Sequence, residues 1–276
     1  MKALIIVLVF VTFTAMAQEK IFLYPDNKES DAPFIESFPA KKPNGTTILV
    51  CPGGGYTHLA VDHEGKDVAK FYNQHGFDAW VLHYRVNQEG KAEHHFPEQL
   101  NDVTTAMQMV KSKAKDGEKV GIIGFSAGGH LTSMCATMHV AADKSSADPI
   151  KKWSSRPAFA MLIYPVIDMN TEIAHQGSRS NLLGKDPDVK LADSLSTQNR
   201  VNAQTPPTFI IYSTDDDVVM VENGLRFYEA LHKHSVPATL HIFDHGGHGY
   251  GLAPKDPVIR VWPELSVKWI ESLGLK

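Results

Sequence analysis

Apolar and polar positions follow two rhythms along this chain. Short, nearly continuous apolar runs recur at TTILVCP (46–52), FDAWVLHY (77–84), KVGIIGFS (119–126), PAFAMLIYPVID (157–168), PTFIIYST (207–214) and ATLHIFDH (238–245). Runs of this kind predict strands buried on both faces. Between them the period lengthens. EGKDVAKFYNQHG sets Val68, Phe71 and Tyr72 at helical spacing and stops at Gly76, a glycine suited to a helix C-terminus. PEQLNDVTTAMQMVKSKAKDG puts Leu100, Val103, Met107 and Val110 on one face, between Pro97 and Gly117. AGGHLTSMCATMHVAA, VENGLRFYEALHKHS and residues 263–273, with Pro263 in the first turn, are further helices. Strand–helix alternation predicts the α/β class, a mostly parallel sheet with helices on both faces and right-handed crossovers.

Two segments depart from this rhythm. Residues 20–45 form a leader rich in Pro and charge, where EKIFLYP offers one edge strand. Residues 168–207 are a long polar stretch between two strands, with room for one short helix. A connection of that length in a compact domain is commonly functional, and its place suits a short cap-like insertion.

The N-terminus changes the domain picture. Met1-Lys2, an apolar run from Ala3 to Phe13 and Ala15-Met16-Ala17 have the pattern of a signal peptide over 1–17. Residues 18–276 then form a single domain, and the protein is expected to be exported to the periplasm or the medium. The run is too short to span a bilayer, and no later run is longer, so no stable membrane anchor is expected. The net charge of −4 becomes −5 once Lys2 is removed, which gives no reason to expect a nucleic-acid partner. Cys51 and Cys135 sit in apolar contexts and read as buried free thiols. The 14 His residues lack metal-ligand spacing, so neither metal nor cofactor is expected.

Candidate chemistry begins at Gly124-Phe125-Ser126-Ala127-Gly128, a G-x-S-x-G pattern between an apolar strand and a helix. A serine on so tight a turn needs neighbours without Cβ if its hydroxyl is to stand clear. CPGGGY (51–56) follows the first apolar strand, where glycines leave backbone N–H groups free to approach an oxyanion. The Ala127 N–H would complete such a hole. A Ser–Asp–His order requires a carboxylate and then a histidine. Asp215, Asp216 and Asp217 follow one strand; His245 and His248 follow the next. His248, flanked by glycines, suits a proton shuttle, and His245 a supporting neighbour.

The blocks CPGGGYTHLAVDHEGKDVAKFY, GFSAGGHLTS, HQGSRSNLLG, TPPTFIIYSTDDDVVMVENGLRFYEAL and LHIFDHGGHGYGL together resemble the α/β-hydrolase superfamily. They are most similar to a bacterial branch of acetyl xylan and related carbohydrate esterases. The resemblance implies Ser126 as nucleophile, Asp216 as triad acid and His248 as base. Asp217 and Met220 stand where the family often has Pro. Gly54, Gly55 and Ala127 then resemble oxyanion donors, with Tyr56 as a further candidate; Tyr56 and His130 are also candidates for substrate contact, with capping or packing of the helix as the alternative for His130. The expected substrate is a small acyl ester, chiefly acetyl, on xylan or its oligosaccharides. Other acyl esters, including feruloyl esters, and amides are the alternatives, and a non-enzymatic carbohydrate-binding homologue is disfavoured by the complete set of Ser, Asp, His and glycines.

Overall fold

The computed structural model describes residues 18–26, 31–88 and 93–274; the expected signal peptide lies outside the described residues. Its apolar runs become strands. β3 (Thr46–Cys51), β4 (Asp78–His83), β5 (Lys119–Phe125), β6 (Ala160–Ile163), β7 (Thr208–Ser213) and β8 (Ala238–Phe243) are parallel. The leader supplies two edge strands where one was expected. β1 (Lys20–Phe22) and β2 (Phe34–Phe38) extend the sheet antiparallel, giving the order β1-β2-β4-β3-β5-β6-β7-β8. β2 owes its place to long-range pairing, with Phe34 opposite His83 and Phe38 opposite Ala79.

Seven α-helices connect or cover the strands among the described residues. They are α1 (Asp67–Gln74, after a π-helical turn at Asp62–Lys66), α2 (Glu98–Lys113), α3 (Ser126–Thr137), α4 (Gln176–Leu183), α5 (Val189–Leu195), α6 (Glu222–Lys233) and α7 (Trp262–Ser272). No described helix is long and apolar enough to cross a membrane. The expected strand at 157–168 shortens to β6. Tyr164 adopts φ +37° and Pro165 has no N–H to continue the ladder. The insertion holds two α-helices and a short 3-10 turn (Thr197–Arg200), where one helix was expected. His175 and Asp188 cap the two helices, accepting from Ser178 N and Leu191 N. Cys51 and Cys135 are buried and free. Burial raises the pKa of both thiols, that of Cys135 to about 12, which disfavours the reactive thiolate.

Strand order sets the position of the site. The chain runs from β3 outward to β4 and then returns past β3 to β5. Ligand crevices in open α/β sheets lie at such a reversal, beyond the carboxyl ends of the strands. Cys51 pairs with Gly124 there, so residues 52–56 and 125–128 emerge side by side.

Candidate active site

Close packing of small residues builds this corner. A Cβ on Gly128 would lie 2.2 Å from the Cys51 carbonyl oxygen, and one on Gly124 would lie 2.1 Å from that of Gly128. These glycines let α3 start directly against the end of β3. Every residue of α3 is buried. Ser126 itself sits at φ +51°, a left-handed conformation that costs a non-glycine residue about 1–3 kcal/mol. The strained turn holds its side chain at the mouth of a cleft rather than in the sheet.

The loops after β7 and β8 bring the other two groups to Ser126. His248 Nε2 lies 2.8 Å from Ser126 Oγ, and His248 Nδ1 lies 2.7 Å from Asp216 Oδ2. The Asp216 carboxylate can only accept, so Nδ1–H donates to it and Nε2 accepts the serine O–H. Asp216 Oδ1 accepts from Val218 N (3.0 Å) and Val219 N (2.8 Å), which fixes the carboxylate. Among the three adjacent acids, Asp216 is buried and meets His248, whereas Asp217 is exposed. Asp215 accepts from Gly247 N at 2.8 Å and ties the two loops together. His245 is turned away, held between Asp244 (2.7 Å) and Asp256 (3.0 Å), whose carboxylates raise its pKa. It does not touch the Ser126–His248–Asp216 chain.

Gly54 and Gly55 line the cleft with Ser126. The Gly54 carbonyl accepts from Thr57 N and His58 N. Across that trans peptide the Gly55 N–H points the opposite way. A Cβ at Gly54 would meet the His58 carbonyl oxygen at 2.2 Å, so the turn requires glycine. Ala127 N–H belongs to the first turn of α3, where no intrahelical acceptor exists.

Tyr56 and His130 are placed differently from the expectation. Both side chains are fully buried and neither lines the cleft. Tyr56 Oη lies 2.9 Å from His130 Nδ1, and His130 Nε2 lies 2.8 Å from the Leu195 carbonyl oxygen. Nε2–H donates to that carbonyl, so Nδ1 accepts the tyrosine O–H. The pair braces the glycine loop and α3 against the insertion. Their substrate-contact role is therefore corrected to a supporting one, because burial removes both side chains from any ligand.

That burial has a pH consequence. It pushes the His130 pKa down to about 4 from an ordinary 6.5. The unfolded chain therefore binds this proton more readily than the folded one. Stability from His130 is complete above about pH 6.5 and is lost as pH falls toward 4, by about 3 kcal/mol. Urea unfolding at pH 7 and pH 4 measures this loss. It should shrink in His130→Asn; an identical acid loss in wild type and variant would assign the effect elsewhere.

A second brace was not visible as chemistry in the sequence. Buried Glu64 accepts from Gly53 N (2.9 Å) and from Tyr164 Oη (2.8 Å). Tyr164 Oη also accepts from Gly251 N at 2.9 Å. One carboxylate and one phenol thus join the glycine loop to the loop that carries His248. The Tyr164 ring packs edge-on to the His248 ring, with centroids 4.9 Å apart. Burial and the nearby Glu64 charge raise the Tyr164 pKa, so it stays a phenol and keeps its donor.

The cleft around these groups has a volume of about 380 Å³. His58 and His63 line it from the segment after β3, and His175, Gly177 and Asn181 from the insertion. Asn181 Nδ2 donates to the Gly55 carbonyl at 2.8 Å, tying α4 to the glycine loop. A larger hollow of about 670 Å³ lies between the insertion and α6, lined by Asp168, Arg226 and Lys233, away from Ser126. Among the described residues no cluster of three or more His, Cys, Asp or Glu could hold a metal ion.

The BD-FAE family model matches residues 37–231, well over half of the sequence. The chain belongs to the BD-FAE family. This BD-FAE member is 36% identical over 223 residues to an acetylxylan esterase of Xylanibacter ruminicola, a match covering 78% of this chain and 43% of that protein. The chain thus spans less than half the length of that relative. The solved acetyl ester-xyloside bifunctional hydrolase from Caldicellulosiruptor lactoaceticus superposes with a TM-score of 0.85 at 38% identity, covering 93% of this chain and 97% of that one. An α/β hydrolase from a deep-sea metagenome, MGS-M1, shares the fold with a TM-score of 0.68 at 24% identity, covering 93% and 97% of the two chains. The fold of this BD-FAE member is therefore that of the α/β hydrolases, as its sequence blocks imply.

Proposed function

We propose that this chain is a serine esterase that removes acetyl groups from xylan or its oligosaccharides. The observation that carries the reading is the chain of contacts from Ser126 Oγ through His248 to Asp216, at 2.8 and 2.7 Å. The likeness to an acetylxylan esterase supports the choice of ester. Ser126 Oγ attacks the acetyl carbonyl carbon while His248 Nε2 takes the serine proton. Asp216 holds the imidazole and stabilises its cation. The N–H groups of Gly54, Gly55 and Ala127 are the proposed donors to the tetrahedral oxyanion. A donor of this kind contributes about 3–4 kcal/mol in comparable sites. Collapse expels the sugar oxygen, which takes the proton back from His248 and leaves an acetyl-Ser126 ester. Water then attacks that ester, its proton passes to His248, and acetate leaves as Ser126 recovers its hydrogen.

The signal-peptide pattern at 1–17 supports action outside the cytoplasm, where acetylated polysaccharide is met. Acetate release from acetylated xylan, mannan and pectin tests the substrate. Xylan should be the best of the three, and release from none would refute the reading. Aminoacyl-p-nitroanilides assayed beside p-nitrophenyl acetate test amide cleavage, which should be far slower.

The Glu64–Tyr164 brace is expected to act through position. Tyr164→Phe keeps the ring against His248 but leaves the buried Gly251 N–H without its acceptor. That costs about 1–3 kcal/mol of stability. Small displacements of reacting groups can cost about 100-fold, so kcat should fall roughly ten- to a hundredfold with KM little altered. Wild-type kcat in a folded Tyr164→Phe protein would show the brace to be dispensable.

A further inference from the structure

His175 stands at the start of α4, in the insertion, and lines the cleft with Ser126 and His248. Its Nδ1 is committed. It accepts from the Ser178 backbone N–H at 3.3 Å as the cap of the helix, and lies 2.8 Å from Ser178 Oγ. A backbone N–H can only donate, so Nδ1 carries no proton and the neutral ring bears it on Nε2. Burial, then the neighbouring His248, lower the pKa of this ring, which keeps it neutral near pH 7. Among the described residues Nε2 has no hydrogen-bond partner. Gly177 leaves that edge open, since a Cβ there would come within 3.4 Å of Nε2. The cap thus fixes both the orientation and the tautomer of a donor in the cleft.

This donor lines the same cleft as Ser126 and His248. A sugar ester held there for attack by Ser126 brings its alkoxy oxygen to His248, which returns the proton, and the sugar behind that oxygen occupies the cleft that His175 lines. We propose that His175 binds the sugar: its Nε2–H donates to a hydroxyl or ring oxygen of the residue that carries the acetyl group. The inference rests on the esterase reading above and adds the group that selects a polyol ester over a simple one.

The test compares kcat/KM for acetylated xylo-oligosaccharides with that for p-nitrophenyl acetate, whose leaving group has no such hydroxyl or ring oxygen. His175→Ser retains an oxygen able to cap α4 but removes the Nε2 donor. The ratio of sugar ester to aryl ester should fall about tenfold, mainly through KM, near the upper end for a neutral hydrogen bond. His175→Asn, another good cap, should do the same and replaces the serine variant if that protein does not fold. An unchanged ratio, or equal losses on both substrates, would overturn the role given to His175 while leaving the esterase reading intact. If wild-type protein cleaves the aryl ester but no acetylated sugar, the sugar-ester reading itself fails and takes this inference with it.

Discussion

Ser126→Ala is expected to fold like the wild type and to lose esterase turnover by at least about 10⁴-fold in kcat, leaving only the residual rate that binding and oxyanion donors sustain. The change removes one oxygen at the cleft and keeps the Cβ, so the strained backbone at φ +51° is retained and stability should shift by less than about 1 kcal/mol. Ser126→Gly separates strain from chemistry more sharply. Glycine adopts this conformation freely, so the inactive glycine variant should be more stable than the alanine variant, by up to about 1 kcal/mol. Thermal or urea unfolding beside kcat measures both effects. An active Ser126→Ala enzyme would remove Ser126 from the mechanism.

The three adjacent acids provide the second large effect. Asp216→Asn keeps the shape of the side chain but can offer an amide N–H where His248 Nδ1 needs an acceptor. The wrong imidazole tautomer follows, and kcat should fall about 10³- to 10⁴-fold. Asp217→Asn alters an exposed group outside the chain of contacts, and its kcat should stay within about threefold of wild type. Comparing the two variants at one pH checks the assignment; the larger loss in Asp217→Asn would reverse it.

Strands β3 to β8 were legible because each is a short apolar run, although β8, at the sheet edge, has no fully buried residue where burial on both faces was expected. β2 was not, because FIESF mixes buried Ile35, Ser37 and Phe38 with partly exposed Phe34 and Glu36, and its order comes from pairing with β4. Ser126 and His248 were legible from glycine-flanked turns at strand ends. The resemblance pointed to Asp216, and the burial of its carboxylate against Val218 N and Val219 N gives that position a physical reason. Glu64 opens the helical block EGKDVAKFYNQHG with no chemical pattern around it. Its partner Tyr164 lies 100 residues further along the chain, so no local pattern reveals the brace. Tyr56 and His130 sit inside motif blocks, yet they bond to each other behind the site. Histidine is an unusual helix cap, so nothing in HQGSRSNLLG announces that His175 caps α4 and faces the cleft.

In the proposed reaction Ser126 is the nucleophile that takes the acetyl group from xylan. Titration of the protein with a fluorophosphonate, with the modified residue mapped by peptide mass and acetate release from acetylated xylan followed alongside, tests that role. Modification is expected at Ser126, with acetate release falling in proportion to the fraction modified. Modification of a different residue, or undiminished acetate release from protein fully modified at Ser126, would remove Ser126 from that role.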